Sequence, residues 1–415
     1  MSERVQTLQH GLRLHRTALR KSLPCGLPED KFESGYAHLT NAAGEEDKHL
    51  FWWFFKARYD PNNAPIVMTL GGGPGASGML FPFSGAGPCS IFVNENGQGK
   101  PIASPYSWTE HVNVLAIDHP VGVGFSYGQH ASLRNTSFTA AWDTDDFLQA
   151  FWRQYPHLAN ENSEDAESIM LVNICQYLLI DGYITHFAIV SLKGLCFSMT
   201  LLVMDLADRL PECLDSIQYS YQQQTLASKT DAMLKCAYMV GDFWDQFPEH
   251  DPYDYRTKCP PEGCDFLGVS PVNDVLSSTD FKDTVGVSRE REFKVLALED
   301  IGMPFLDNGY SLPIFLAPVI EDGMRLFVYN GMQDGACPWR SSFAWMRLLE
   351  TKYQSGFRDA REFEYPGVGS IRQVGPGAGN YTFIKIKEAG HMVIRSQPEL
   401  LRHLMVQWIT NQPFF

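Results

Sequence analysis

An apolar run of strand length, Pro65 to Leu70 (PIVMTL), breaks off at a glycine cluster, Gly71-Gly72-Gly73-Pro74-Gly75-Ala76-Ser77-Gly78. A short apolar run bounded by glycine reads as a buried strand. The glycines beyond it leave backbone N–H groups open at the strand end, and two devices use such groups: a phosphate cradle and an oxyanion hole. Residues 73 to 78 fit G-x-G-x-x-G, but Pro82 and Pro88 deny the following stretch the helix that a dinucleotide site needs.

More segments of the same kind follow along the chain. His49 to Lys56 (HLFWWFFK), Val112 to Asp118 (VNVLAID), Arg325 to Tyr329 (RLFVY) and Thr382 to Lys387 (TFIKIK) read as strands. Phe138, Trp142, Phe147, Phe151, Trp152 and Tyr155 recur at helical spacing, which predicts a helix over 138–155 with that face inward. Ser396-Gln397-Pro398 predicts the start of a last helix, with Ser396 as N-cap and Leu401, Leu404, Met405 and Trp408 on its inner face. Strands and helices alternating at both ends predict a layered α/β fold with a mainly parallel sheet. From about Pro211 to residue 300, polar residues, prolines and four cysteines (213, 236, 259, 264) predict an irregular insertion or cap, roughly 200–300. Residues 1–33 form a poorly specified leader, and 34–415 one α/β domain.

A chain of 415 residues with 44% apolar and 20% charged residues can fill a core of that size. Its net charge of -15 gives a field of the wrong sign for nucleic acid or an anionic membrane. Phe187 to Met204 is the greasiest segment, yet Lys193 interrupts it and Asp181 and Asp205 lie close by, so it falls short of a spanning helix. No signal-peptide pattern is visible in Met1 to Gly26. The nine cysteines follow no zinc spacing, and nothing else calls for a metal or cofactor. Cys259 and Cys264 suit either a loop disulfide or two thiols. Asn135-Thr136-Ser137 and Asn380-Tyr381-Thr382 are glycosylation sequons.

Asp334 follows the strand ending at Tyr329, and His391 follows the one ending at Lys387. Open α/β sheets place their sites just past the carboxyl ends of strands. An acid past one strand and a histidine past the last, before a terminal helix, is the order Ser…Asp…His of an α/β-hydrolase. Asp334 would orient His391, which would act as general base and then acid. The one literal G-x-S-x-G match is Gly124-Phe125-Ser126-Tyr127-Gly128, but it sits in a Gly- and Pro-rich loop with no apolar helix directly after it.

The chain resembles the serine carboxypeptidases of the carboxypeptidase Y type. The resemblance rests on Ser34-Gly35-Tyr36, HLFWWFFKARYDPNNAPIV, LGGGPGASG, GPCS at 87–90, PYSW at 105–108 and NVLAIDHPVGVGFSYG at 113–128. It resumes at DPYDYR (251–256), FVYNGMQDG (327–335) and KEAGHMVIRSQPE (387–399). It implies an α/β-hydrolase fold with an inserted cap, and cleavage of single residues from peptide or protein C-termini in secretory, vacuolar or lysosomal compartments. It also implies Asp334 and His391 as acid and base, and Gly72 and Gly73 at the oxyanion site.

The departures are as informative as the matches. In the family, GFSYG is a separate segment, and the elbow Gly-Glu-Ser-Tyr-Gly or Ala lies after the helix matching 138–155. No serine here has glycine two residues before and two after it in that interval. Glu167-Ser168 is the nearest relic, and Ile169, Met170, Leu171 and Val172 after it suit a continuing strand. Ser168 and Ser126 are therefore weak nucleophile candidates. No serine, threonine or cysteine is expected within reach of the His391 nitrogen distal to Asp334. Gly71 stands where the family has a carboxylate-binding Asn, and the missing elbow removes a carboxylate-binding Glu. Two readings stay open: a carboxypeptidase using an unrecognised serine, and a non-catalytic homologue that binds peptides or is a truncated, mis-spliced product.

Overall fold

The computed structural model describes residues 13–17, 22–40, 45–72, 75–93, 98–129, 137–158, 168–170, 204–223, 225, 227–232, 234–235, 247–261, 263–265, 268–297 and 316–414. The chain divides into two compact units, Met1–Ala166 with Gly268–Met303, and Glu167–Leu267 with Pro304–Phe415.

The first unit is built on strands β1 (Arg13–Arg16), β2 (Phe32–Thr40), β3 (Glu46–Phe55), β4 (Ile66–Leu70), β5 (Cys89–Val93), β6 (Gly99–Ala103), β7 (Asn113–Ile117) and β8 (Tyr127–Gly128). Its main sheet runs β1-β2-β3-β7-β4, with β8 also paired to β3. Both faces of β3 are covered, which is why HLFWWFF reads as a continuous apolar run. Leu50, Trp52 and Phe54 pack on one side with Phe147 and Phe151 of the helix Ser137–Gln154 and with Tyr155 just after it. On the other side Phe51 meets Phe125, and Trp53 meets Phe83 and Phe281. The expected helix is present, but Trp142 is 47% exposed rather than inward. It lies five residues before the buried Phe147, which at 3.6 residues per turn sets it about 140° around the helix from the buried stripe. The side chain of Phe138 lies outside the described residues.

The second unit contains β9 (Ser168–Met170), β10 (His250–Asp251), β11 (Asp254–Lys258), β12 (Arg325–Gly331), β13 (Phe363–Tyr365), β14 (Gly369–Val374) and β15 (Tyr381–Ile386). Its sheet runs β13-β14-β15-β12-β9. Leu326 and Val328 face Met346, Phe357 and Phe383 on one side. On the other, Phe327 stacks on Trp408 of the helix Pro398–Ile409, with ring centroids 5.1 Å apart. The expected inner face of that helix (Leu401, Leu404, Met405, Trp408) is buried. Its N-cap is Gln397, not Ser396, which ends the preceding short helix Val393–Ser396.

Among the described residues, parallel pairing is confined to β4–β7, β12–β15 and β12–β9, whereas β1–β2–β3–β7 and β13–β14–β15 pair antiparallel, so the sheets there are mixed. The short links β2–β3, β13–β14 and β14–β15 permit hairpins but leave no length for a crossover. The stretch after Pro211 is also more regular than expected. It holds the helix Met204–Gln223, the β10–β11 hairpin and the helices Ser270–Ser277 and Thr279–Val285. Cys259 and Cys264 form a disulfide, as do Cys25 and Cys89. The Asn380 amide donates to the Tyr353 hydroxyl at 2.8 Å, and Asn135 lies outside the described residues.

Candidate active site

Strand β12 ends at Gly331 and β15 at Ile386, in register as neighbours. The chains leaving them therefore emerge side by side. A Cβ on Gly331 would collide with the carbonyls of Ala389 and Gly390, so only glycine lets the two loops come this close. The loops are then tied together, since Gln333 N–H donates to the Ala389 carbonyl at 2.9 Å and Ala389 N–H to Gln333 Oε1 at 2.9 Å.

This closure brings Asp334 and His391 into contact. His391 Nδ1 and Asp334 Oδ2 lie 2.8 Å apart, with both side chains buried. An ionised carboxylate can only accept, so the His391 Nδ1–H donates to it. The second Asp334 oxygen accepts from Cys337 N–H at 2.8 Å. The carboxylate is thus fixed from both ends.

The turn between β10 and β11 clamps this pair. The Tyr253 carbonyl accepts from His391 N–H at 2.7 Å. The Pro252 carbonyl accepts from Gly335 N–H at 2.9 Å and Ala336 N–H at 2.7 Å. Tyr253 also sets its ring edge-on to the imidazole, with centroids 5.1 Å apart and planes at 80°. Burial pushes its hydroxyl up to about 12, helped by the negative side chains around it. Asp251 accepts from Tyr253 N–H at 2.8 Å. Its carboxyl is raised by burial and then by the charges of Asp254 and Asp334.

Cys337 is buried, and its sulfur, an Asp334 oxygen and a His391 ring nitrogen lie within 4.8 Å of one another. Reading the residues singly missed Cys337, Asp251, Pro252 and Tyr253. The signal available was DPYDYR, which the resemblance had singled out without giving it a role.

Ser126, in the first unit, donates to the Asp118 carbonyl at 2.6 Å and accepts from Phe51 N–H at 2.8 Å. That is the bonding of a strut, and φ of 58° at Gly124 belongs to the same tight loop. Gly72 also belongs to the first unit, where its carbonyl accepts from Ala76 N–H at 2.8 Å. Gly73 lies outside the described residues. Ser168 opens β9 and pairs with Arg325 of β12, a strand position rather than a turn. Residues 159–167 and 171–203, which cover most of the interval where an elbow would fall, lie outside the described residues.

A carboxylate and an imidazole are thus bonded just past the ends of two neighbouring parallel strands. In fold, the chain is similar to Kex1Δp, a prohormone-processing carboxypeptidase from Saccharomyces cerevisiae, with a TM-score of 0.74 over 93% of each chain at 18% identity. The fold class is therefore α/β-hydrolase. A serine carboxypeptidase family model (Peptidase_S10) matches residues 24–411. Carboxypeptidase Y homolog A of Sclerotinia sclerotiorum is 30% identical over 446 residues, covering 99% of this chain and 79% of that protein. The Neurospora crassa homologue is 29% identical, covering 94% and 74%. The chain belongs to the serine carboxypeptidase family.

Proposed function

We propose that this chain retains the acid–base half of a serine carboxypeptidase site, receives peptide or protein C-termini, and does not hydrolyse them. Asp334 and His391 are the acid and base, and Gly72 and Gly73 the remnant of the oxyanion site. In an active member, His391 Nε2 would take the serine proton as the serine attacks the scissile carbonyl. It would then return that proton to the leaving amine. The observation that carries the proposal is the lack of a glycine-flanked serine anywhere between Gly128 and the strand Arg325–Gly331. Ser168 in a strand and Ser126 in a strut support it. Without the nucleophile no acyl-enzyme forms, and triad knockouts retain only about 10³–10⁴-fold catalysis over water.

The test is labelling of the full-length protein with a fluorophosphonate probe, beside hydrolysis of blocked dipeptides. The expected result is no labelled serine and no hydrolysis above that of the His391→Ala variant. A labelled serine whose reactivity disappears in His391→Ala would make the chain an active carboxypeptidase. Peptide binding is read separately, by calorimetry with a blocked dipeptide. Absence of binding would favour the truncated-product reading over the peptide-binding one.

The Cys25–Cys89 and Cys259–Cys264 disulfides suit an oxidising compartment. Among the described residues no helix is long and apolar enough to cross a membrane. Both points accord with a secretory, vacuolar or lysosomal setting.

A further inference from the structure

A second cluster of ligating side chains lies in the first unit. His38 of β2 and His49 of β3 are register partners, so their side chains leave the same face side by side. Strict alternation along β3 would send Glu46 to the face opposite His49. A bulge prevents that: Leu39 pairs with Lys48 and Thr40 with Glu46, leaving Asp47 as the extra residue. The bulge re-aims Glu46 onto the histidine face.

Three donor atoms converge as a result. His38 Nδ1 lies 2.9 Å from His49 Nδ1 and 3.1 Å from Glu46 Oε1. Two imidazole nitrogens cannot satisfy each other with two lone pairs or with two protons. One proton on His38 Nδ1 would have to serve both His49 and Glu46. A divalent cation satisfies all three donors at once. Metal bonds of about 2.0–2.1 Å separate adjacent ligands by about 2.9 Å at right angles and about 3.3 Å in a tetrahedron. Both separations from His38 fall in that range, and the three atoms all lie within 4.8 Å of one another.

The surroundings fit a metal ligand set. Arg13 donates to Glu46 Oε2 at 2.9 Å, which orients the other carboxylate oxygen toward His38. His49 stacks on Tyr127 with centroids 4.3 Å apart, which holds its ring. The exposed His15 of β1 has its ring centroid 5.9 Å from that of His38 and can add a fourth ligand, as can water. We infer that His38, His49 and Glu46 form a binding site for a divalent transition ion of the zinc, copper or nickel class. Two imidazoles and one carboxylate disfavour calcium and magnesium, which prefer all-oxygen sites.

The experiment is titration of tag-free, full-length protein with Zn²⁺ against a chromophoric chelator at neutral pH, with Ca²⁺ as control. One equivalent of Zn²⁺ is expected to bind and to raise Tm, whereas Ca²⁺ does neither. His38→Gln and His49→Gln should each weaken binding by more than about tenfold, the least that even outer partners of a ligand cost. Glu46→Gln, at an exposed position that tolerates substitution, should do the same and guards against misfolding of the histidine variants. Absence of stoichiometric Zn²⁺ binding overturns the inference. So does binding that survives His38→Gln and Glu46→Gln in folded protein, or that is lost only in His391→Gln.

Discussion

His391 Nδ1 donates to Asp334 Oδ2 at 2.8 Å across a separation of 57 residues. Asp334 serves two buried donors, that imidazole and the Cys337 N–H. Asp334→Ala leaves both without an acceptor, at about 1–3 kcal/mol for each buried group. Urea denaturation should show a loss of about 2–5 kcal/mol, and a smaller one for Asp334→Asn, which keeps an oxygen for one donor. A loss under about 1 kcal/mol would mean that the pair is not formed in solution.

Ser126 joins Phe51 N–H to the Asp118 carbonyl. Ser126→Ala should lower stability by about 1–3 kcal/mol and leave fluorophosphonate labelling unchanged. If the same substitution abolished labelling of the wild-type protein, Ser126 would be a nucleophile and not a strut.

Asp118 carries a pH-dependent share of stability. Burial raises its carboxyl to about 7, against the hydrogen bonds from Ser77, Phe125, Gly78 and Met79 that lower it. The folded state thus holds a proton that the unfolded state, with an ordinary carboxyl, has released. Its contribution is complete below about pH 4 and is lost as pH rises to about 7. The slope approaches about 1.4 kcal/mol per pH unit at its steepest. Asp118→Asn should flatten the fall in stability between pH 4 and 7, read from denaturation midpoints at successive pH values. An unchanged slope would assign the effect to other groups.

The Cys25–Cys89 and Cys259–Cys264 disulfides should differ in what they contribute. Cys25–Cys89 closes a separation of 64 residues and Cys259–Cys264 one of 5. The chain-entropy relation gives about 4 kcal/mol for the first and about 2 kcal/mol for the second. Replacing each pair by alanine and comparing guanidinium midpoints tests the ranking. Equal losses would show that local packing, not loop closure, governs both.

Local order was legible wherever burial imposes a period. PIVMTL, VNVLAID, RLFVY and TFIKIK became β4, β7, β12 and β15 because an apolar run between turn residues has few other ways to leave water. The inner face of the last helix followed from its 3.6-residue spacing. Trp142 and Ser396 were misread because a helix's rotation and its cap depend on what the neighbouring chain does.

Position along the chain determined that an acid and a histidine follow successive parallel strands, and the missing Gly-x-Ser-x-Gly after the helix Ser137–Gln154 is wholly a property of sequence. Only the tertiary structure decided how the pair is held. The carbonyls of Pro252 and Tyr253 reach Gly335, Ala336 and His391 from a hairpin distant in sequence, and no periodicity encodes that meeting. The junction of His38, His49 and Glu46 depends likewise on strand register and a single bulge. Periodicity reports which face of an element is buried, whereas register and bulges are settled by the packing of the whole sheet. A shift of one residue would turn His38 away from His49 without changing the sequence at all.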